Sequence, residues 1–245
     1  MSKSLCFSKE EFSVICHAYG ITKLVCFEQK SNLNVNEDEI LELYNQTLFQ
    51  LYKKEYLDVT ETGFMVSNEV KRIFSVLKKC DMVLTTFCRE ESVPGYCLYF
   101  SKNSEAVLMR AGSRVGEYVK VELLKDDEIT EFIIASGVLL PDSIGADLSD
   151  VCADCEIEGV QLQEFLQSGD IESADNLSEI PEVVTLLKIQ NPTTASKICY
   201  IALVKQPIQD YMMIVDDKGI QMVMYSINKV VEVFRKKWED QNDIS

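Results

Sequence analysis

Two stretches of the chain carry the same series of patterns, four short β-rich segments followed by an amphipathic helix, and this repetition constrains the fold most. The β-rich segments lie at 82–87, 96–100, 106–110 and 118–123, and again at 183–189, 198–204, 211–215 and 220–225. A helix begins near Asp126, and another carries Val230, Phe234 and Trp238 as apolar residues. Such helices can cover one face of antiparallel strands. We therefore predict a duplicated β-β-β-β-α architecture over 81–136 and 183–241. Chance agreement between two short series is the alternative, because residue identity between the halves is poor.

The first 80 residues favour helices around one hairpin. Ser8 and Glu11 form a capping-box pattern for a helix that ends near Gly20, and Asn36 is expected to cap a second helix. Residues 56–66 predict a hairpin, and a further helix follows it. In the second helix, the apolar residues that recur at helical spacing are Ile40, Leu43, Tyr44, Leu48, Leu51 and Tyr52. Helices followed by a two-stranded wing resemble a winged-helix unit.

The joining segment concentrates the negative charge. Twelve acidic residues and no Lys or Arg lie between 136 and 182, in a chain whose net charge is -16. Residues 159–166 suggest a short helix, and the remainder is expected to be loop. One interpretation is a solvated connector, and the other is an acidic surface for a basic partner.

These patterns predict an α+β fold with two pseudo-repeated halves of antiparallel strands, each followed by a helix, after an N-terminal winged-helix-like section. The expected boundaries are 1–80 for the N-terminal section, 81–136 for the first half, 137–182 for the acidic connector and 183–245 for the second half. The four parts are expected to pack as one compact unit.

Composition narrows the partners and the compartment. Forty acidic residues against 24 basic ones disfavour nucleic acid and anionic membranes, since both carry negative charge. No apolar run reaches the roughly 20 residues that cross a bilayer, and charge interrupts the N-terminus too early for a signal peptide. Nine cysteines form no disulfide framework. We therefore expect a cytoplasmic protein that does not insert into membranes.

Residues for catalysis are scarce, and the sequence predicts no enzyme. His17 is the sole histidine, and a tertiary pair with Cys88 or Cys97 is the remaining way to build a nucleophile. Cys152 and Cys155 have the spacing of a metal or redox pair, but acidic neighbours would raise their pKa and no second pair exists. We predict no catalytic residue, no cofactor site and no metal site.

Two further features leave alternatives open. Lys53, Lys54 and the pairs at 71–72 and 78–79 form a modest basic patch beside a candidate recognition helix at 46–55, which would suit a transcription regulator. Methionines at 212, 213, 222 and 224 would suit an adaptable binding surface, or would alternate in and out of the core.

The order of elements resembles the EspG-like secretion-associated chaperones of type VII (ESX) systems and related uncharacterised Gram-positive proteins. The resemblance covers most of the chain and rests on the N-terminal helical section, segments 96–100 and 106–110 leading to the helix at Asp126, and the second half ending at 229–234. No short motif supports it. The chain is shorter than typical members, and its 136–182 connector is unusually acidic. The resemblance implies a cytosolic, non-enzymatic protein that binds a helical secretion substrate and keeps it soluble.

The leading hypothesis is therefore a non-enzymatic chaperone or adaptor for helical substrates of a type VII-like secretion system. The alternative is a winged-helix transcription regulator with a sensing C-terminal region. An enzyme comes third.

Overall fold

The computed structural model describes residues 4–25, 27, 37–61, 63–90, 92–93, 95–101, 105–111, 118–141, 157–192 and 197–242. The chain forms two compact units. Unit 1 consists of Met1–Cys80 and Cys97–Lys125, and unit 2 consists of Asp81–Tyr96 and Asp126–Ser245.

The order of elements confirms the predicted α+β class and the repeated β-β-β-β-α series. The helices are α1 (Lys9–Ala18), α2 (Glu37–Lys53), α3 (Asn68–Lys78), α4 (Asp126–Ala135), α5 (Val160–Ser168) and α6 (Ile227–Asn242), with a 3₁₀ segment at Ile171–Glu179. The strands are β1 (Leu5–Ser8), β2 (Leu57–Thr60), β3 (Gly63–Val66), β4 (Met82–Cys88), β5 (Cys97–Ser101), β6 (Glu105–Ala111), β7 (Tyr118–Lys125), β8 (Val183–Gln190), β9 (Lys197–Val204), β10 (Tyr211–Asp216) and β11 (Gly219–Met224). The boundaries expected at 80, 136 and 182 remain a prediction.

The sheet of unit 1 has the strand order β1-β7-β6-β5, with every pair antiparallel. The sequence patterns predicted β5, β6 and β7 but missed β1, which pairs Leu5 with Val121 and Phe7 with Val119. Four residues beside a helix cap give a weak strand signal, because a strand of that length is stabilised by its partner. The β2–β3 hairpin forms a separate two-stranded sheet, as predicted.

An aromatic cluster holds the elements of unit 1 together. The Phe74 ring of α3 lies 5.2 Å from Phe12 of α1 and 5.9 Å from Phe7 of β1, measured between ring centroids. Phe7 also lies 4.8 Å from Tyr56, just before the hairpin. Phe7, Phe12 and Phe74 are fully buried, so this cluster fixes where α1, β1 and α3 meet.

Local signals set the first helix as expected. The Ser8 hydroxyl accepts a hydrogen bond from the Glu11 N–H at 3.1 Å, and the Glu11 carboxylate accepts one from the Ser8 N–H at 2.7 Å. This is the predicted capping box. Asn36, the expected cap of α2, lies outside the described residues.

The sheet of unit 2 has the strand order β4-β8-β9-β10-β11, again antiparallel throughout. The turn predicted at 216–219 joins β10 to β11, and the Asp216 carboxylate accepts a hydrogen bond from the Lys218 N–H at 2.9 Å. The register of β8 against β9 shifts between Val183 and Thr185, which marks a bulge or a local irregularity.

The second part of the acidic joining segment is a packed layer of unit 2 and not a solvated loop. Leu162 and Phe165 of α5, and Ala174 and Leu177 of the 3₁₀ segment, are buried in one cluster with residues of β8, β9 and β10. The expectation that the segment beyond its short helix is loop is wrong for Ile171–Glu179. The sequence did not predict this layer, because the acidic side chains on its solvent side give the segment the composition of a loop. Residues 142–156 lie outside the described residues.

Arg89 anchors the end of this layer to unit 2. Its guanidinium donates hydrogen bonds to three carbonyl oxygens, those of Ser178, Ile180 and Val183, at 2.8–3.1 Å. These carbonyls lie where the 3₁₀ segment turns into β8, so one side chain fixes the entry of that strand.

Met212 and Met213 belong to the core, whereas Met222 and Met224 are partly exposed. Met212 and Met213 are both fully buried, although consecutive strand residues point to opposite faces of a sheet. Met213 faces the layer of α5 and the 3₁₀ segment. The interpretation of Met212 and Met213 as an adaptable binding surface is therefore wrong, and their strict alternation between core and solvent is wrong as well.

The ion pair between Asp216 and Lys237 generates a pH prediction. The Lys237 Nζ lies 2.8 Å from the Asp216 Oδ2, and the two side chains are 15% and 10% exposed. Burial alone would raise the pKa of Asp216, but the hydrogen bonds from Lys237 and the Lys218 N–H hold that pKa below its ordinary value. A carboxylate with a lowered pKa stabilises the fold above its ordinary pKa, and this stabilisation is lost as the pH falls through the lowered value.

We expect Asp216→Asn to lower the free energy of unfolding by about 1.5–3 kcal/mol at neutral pH, because it removes a charged hydrogen-bond partner of Lys237. The difference from the wild type should vanish once the pH lies well below about 3.9, the ordinary pKa of Asp. Urea denaturation across this pH range measures it. Asp217→Asn, at the exposed neighbouring position, serves as the control and should show no such step. A difference that persists unchanged in acid would contradict the assignment to the ion pair.

Gly159 generates a second stability prediction. It precedes α5 with φ +114°, and a Cβ there would lie 2.2 Å from the Glu182 Oε1. We expect Gly159→Ala to cost about 2 kcal/mol, because it adds a disfavoured backbone conformation to a steric overlap. Gly169→Ala is the matched control at φ +60° with open space around the added carbon, and we expect it to cost less. Equal losses in thermal denaturation would show that the overlap with Glu182 is relieved without cost.

Candidate protein-binding surface

Helix α2 exposes aromatic side chains that its sequence pattern predicts as part of a buried stripe. Tyr44, Leu48 and Tyr52 recur every fourth residue and therefore share one side of the helix. Tyr44 is 43% exposed and Tyr52 is 47% exposed, whereas Leu51 is fully buried. The apolar stripe is wider than the contact that buries it, so its outer edge faces solvent.

Phe49 adds a further exposed ring on α2. Its side chain is 54% exposed, and the Lys53 ammonium lies 4.5 Å above the ring centroid. This is the geometry of a cation–π contact. Lys53, which the sequence placed in a basic patch, is therefore engaged with an aromatic ring of its own helix.

The β2–β3 hairpin continues the apolar surface. Val59 pairs with Phe64 across the hairpin, so the two side chains share a face, and Met65 lies on the other face opposite Asp58. Val59, Phe64 and Met65 are 63%, 53% and 56% exposed. Helix α2 contacts β2, so the exposed side chains of helix and hairpin belong to adjoining elements.

We give the name aromatic–hairpin surface to the exposed apolar side chains of these two adjoining elements: Tyr44, Phe49, Tyr52, Val59, Phe64 and Met65. Among the described residues, they are six of the eleven large hydrophobic side chains that are strongly exposed. Scattered apolar residues are normal on a protein surface, but a contiguous group of them marks an interaction site. The surface has no catalytic group and is suited to apolar contacts.

The charges near this surface are mainly negative. Glu42, Glu55, Asp58 and Glu61 are exposed on α2 and the hairpin. The Lys54 Nζ lies 2.6 Å from the carboxylate of Glu11, which is nearly buried. Lys54 is paired in this way and Lys53 keeps its charge above Phe49, but the four exposed carboxylates outnumber these cations and favour a basic partner.

A strained turn sets the angle between α2 and the hairpin. The Tyr56 N–H donates to the Leu51 carbonyl and the Glu55 N–H donates to the Tyr52 carbonyl, both at 2.9 Å. These two hydrogen bonds define a Schellman motif, in which the residue at the position of Glu55 adopts a left-handed conformation. Glu55 has φ +61°, a conformation that favours glycine.

The other residues considered from the sequence are not among the residues of this surface. His17 is exposed in the last turn of α1, Cys97 is buried in β5, and the Cys88 Sγ of β4 accepts a hydrogen bond from the Thr185 hydroxyl at 3.8 Å. Cys152 and Cys155 lie outside the described residues. Within the part of the chain that the structure describes, no group of three or more His, Cys, Asp or Glu residues is arranged to hold a metal ion. The absence of catalytic and cofactor residues remains a prediction.

Comparison with known proteins gives no match in sequence and a weak match in structure. No protein-family model matches the chain, and no curated protein is similar to it in sequence. A solved structure that it matches is "Structure of the Mycobacterium tuberculosis type VII secretion system chaperone EspG5 in complex with PE25-PPE41 dimer". The match covers 93% of this chain and 93% of that one, with a TM-score of 0.49 and 11% identity. At these values the likeness assigns neither a family nor a function.

No helix among the described residues has both the length and the apolar character needed to cross a membrane.

Glu55 allows the cost of the strained turn to be measured. We expect Glu55→Gly to raise the free energy of unfolding by about 1 kcal/mol, because glycine adopts the left-handed conformation without the clash of a Cβ. Glu55→Gln is the control that removes the charge and keeps the clash, and it should leave stability nearly unchanged. Chemical denaturation of both variants measures the difference. A loss of stability in Glu55→Gly would mean that the Glu55 side chain stabilises the turn.

Proposed function

We propose that the protein is a non-enzymatic chaperone or adaptor that binds an amphipathic helix of a protein partner on the aromatic–hairpin surface. The concentration of exposed aromatic and aliphatic side chains on α2 and the β2–β3 hairpin carries this proposal. Amphipathic helices bind other proteins by placing their apolar face against such a surface. Tyr and Phe side chains are well suited to serve as anchors, since each buries a large area with few rotatable bonds.

The rim defines the chemistry of the partner more closely. Glu42, Glu55, Asp58 and Glu61 are exposed on or beside the same helix and hairpin as the apolar side chains, and the chain carries a net charge of -16. A helix whose apolar stripe is flanked by Lys or Arg would complement this rim and would be drawn to it at long range. We therefore expect a partner helix with basic flanks.

The specific setting that we propose is the cytoplasmic handling of helical substrates for a type VII-like secretion system. The order of elements supports this setting, since an N-terminal helical section is followed by two β-β-β-β-α halves. The aromatic–hairpin surface supports the binding of a helix in any setting.

The second candidate, a winged-helix transcription regulator, has support from α3 and lacks it in α2. Lys71, Arg72, Lys78 and Lys79 are exposed on α3. In α2, which the sequence suggested as the recognition helix, Lys53 and Lys54 contact Phe49 and Glu11 instead of facing solvent alone. Lys54 would have to give up its ion pair with Glu11 to contact a DNA phosphate.

Affinity purification of the full chain from its native host tests the proposal. We expect the wild type to retain a helical protein. We also expect the double variant Tyr52→Ser and Phe64→Ser to bind a synthetic peptide of the captured helix at least about tenfold more weakly, as measured by calorimetry. Ile208→Ser is the matched control, because Ile208 is 99% exposed and lies in unit 2. Circular dichroism verifies that both variants are folded.

Equal peptide affinities for the wild type and the double variant would contradict the binding surface. Retention of promoter DNA with a steep dependence on salt, and without a helical protein, would favour the regulator instead.

A further inference from the structure

A cleft on α3 combines cationic side chains with a buried hydroxyl group. The cleft has a volume of about 390 Å³ and lies entirely within unit 1. Its lining residues come from α3, β5 and β6: Asn68, Lys71, Arg72, Ser75, Val76, Lys79, Ser101 and Glu105. A volume of this size falls in the range of sites for small molecules, roughly 300–1,000 Å³.

The helical period explains why the cations face this cleft. Lys71, Ser75 and Lys79 are spaced four residues apart, and Arg72 lies one turn after Asn68, so these side chains share a side of α3. The opposite side of α3 is buried against the core of unit 1 through Val70, Ile73, Phe74 and Leu77. Helix α3 contacts β5 and β6, which brings Ser101 and Glu105 to the same cleft.

Ser101 adds a buried hydroxyl group to the wall of the cleft. It is 4% exposed, and its Oγ has no hydrogen-bond partner among the residues that the structure describes. A buried polar group without a partner costs about 1–3 kcal/mol. Because Ser101 lines the cleft, a ligand there can supply the missing acceptor.

The charges of the cleft select an anion. Lys71, Arg72 and Lys79 contribute three positive charges, and Glu105 contributes one negative charge, with its carboxylate 2.5 Å from the Arg72 guanidinium. The remaining charge matches that of a phosphate monoester, which carries about -1.5 to -2 at neutral pH. The rest of the chain is strongly acidic, so this local reversal of sign is what would attract an anion.

We propose that the α3 cleft binds a small molecule through its phosphate group. Lys71 and Lys79 supply the charge, Arg72 supplies guanidinium N–H donors and is positioned by Glu105, and the Ser101 hydroxyl donates from the wall of the cleft. The cleft volume of about 390 Å³ favours a small ligand over a nucleic acid. This site is separate in its residues and its chemistry from the aromatic–hairpin surface.

Titration of the full chain followed by ¹H–¹⁵N NMR tests the proposal, with ionic strength held constant by chloride. The probes are inorganic phosphate and adenosine 5′-monophosphate. We expect saturable shifts at residues of α3 and β5, with Lys79→Gln and Ser101→Ala each weakening binding about tenfold, the loss typical of one hydrogen bond to a charged group. Lys78→Gln is the matched control, because it removes the same charge at the adjacent residue, which does not line the cleft.

Measurements of stability distinguish a variant that has lost the binding site from a variant that has lost the fold. Without ligand, Ser101→Ala should be as stable as the wild type or more stable, since it removes a buried hydroxyl that has no partner. Tighter binding of the monophosphate than of inorganic phosphate would identify a phosphorylated metabolite, and equal binding would identify free phosphate.

Three results would overturn the proposal. One is the absence of saturable shifts with either probe in the millimolar range. Another is equal weakening by Lys78→Gln and Lys79→Gln, which would indicate general attraction to a basic helix. The third is tighter binding of a short DNA duplex that depends on Lys78 and Lys79 alike.

Discussion

The burial of Phe74 is the contact on which the arrangement of unit 1 depends. Its ring packs against Phe7, Phe12 and Tyr19, which belong to β1, α1 and the residue after α1. Because one side of α3 is committed to this cluster, the other side must face outward with Lys71 and Lys79. Phe7 in turn contacts Tyr56, so the same cluster locates the start of the hairpin. Both proposed binding sites of unit 1 therefore follow from the packing of aromatic rings that belong to neither site.

In unit 2 as well, buried apolar side chains decide which side of an element faces the core, although the segment concerned is strongly acidic. A sheet with apolar residues on two faces needs cover on each. Leu162, Phe165 and Leu177 supply that cover on one face, although they lie in the most acidic part of the sequence. Their side chains point toward the sheet while the carboxylates face water. High net charge and dense packing are compatible because they occupy different sides of the same short elements.

The two surfaces of unit 1 would bind different kinds of partner. The aromatic–hairpin surface offers a large apolar area with an acidic rim, which suits a basic amphipathic helix. The α3 cleft offers a small volume with cations and a buried hydroxyl, which suits a compact anion. An acidic chain would thereby attract a basic helix through its net charge and an anion through the local charges of the α3 cleft, because Coulomb attraction at short range is set by local charges.

The sequence by itself determined most elements, because their signals are local. The capping box of Ser8 and Glu11, the β-rich composition of β4 to β11 and the turn at 216–219 each depend on residues close in the chain. Only the tertiary structure decided which apolar residues stay exposed. Tyr52 and Leu51 carry the same helical signal, yet the packing of α2 buries one and leaves the other in solvent. The pairing of β1 with β7 and the place of Ser101 beside α3 depend on residues far apart in sequence. Periodicity indicates that one side of an element is apolar, but non-local contacts determine which partner covers that side.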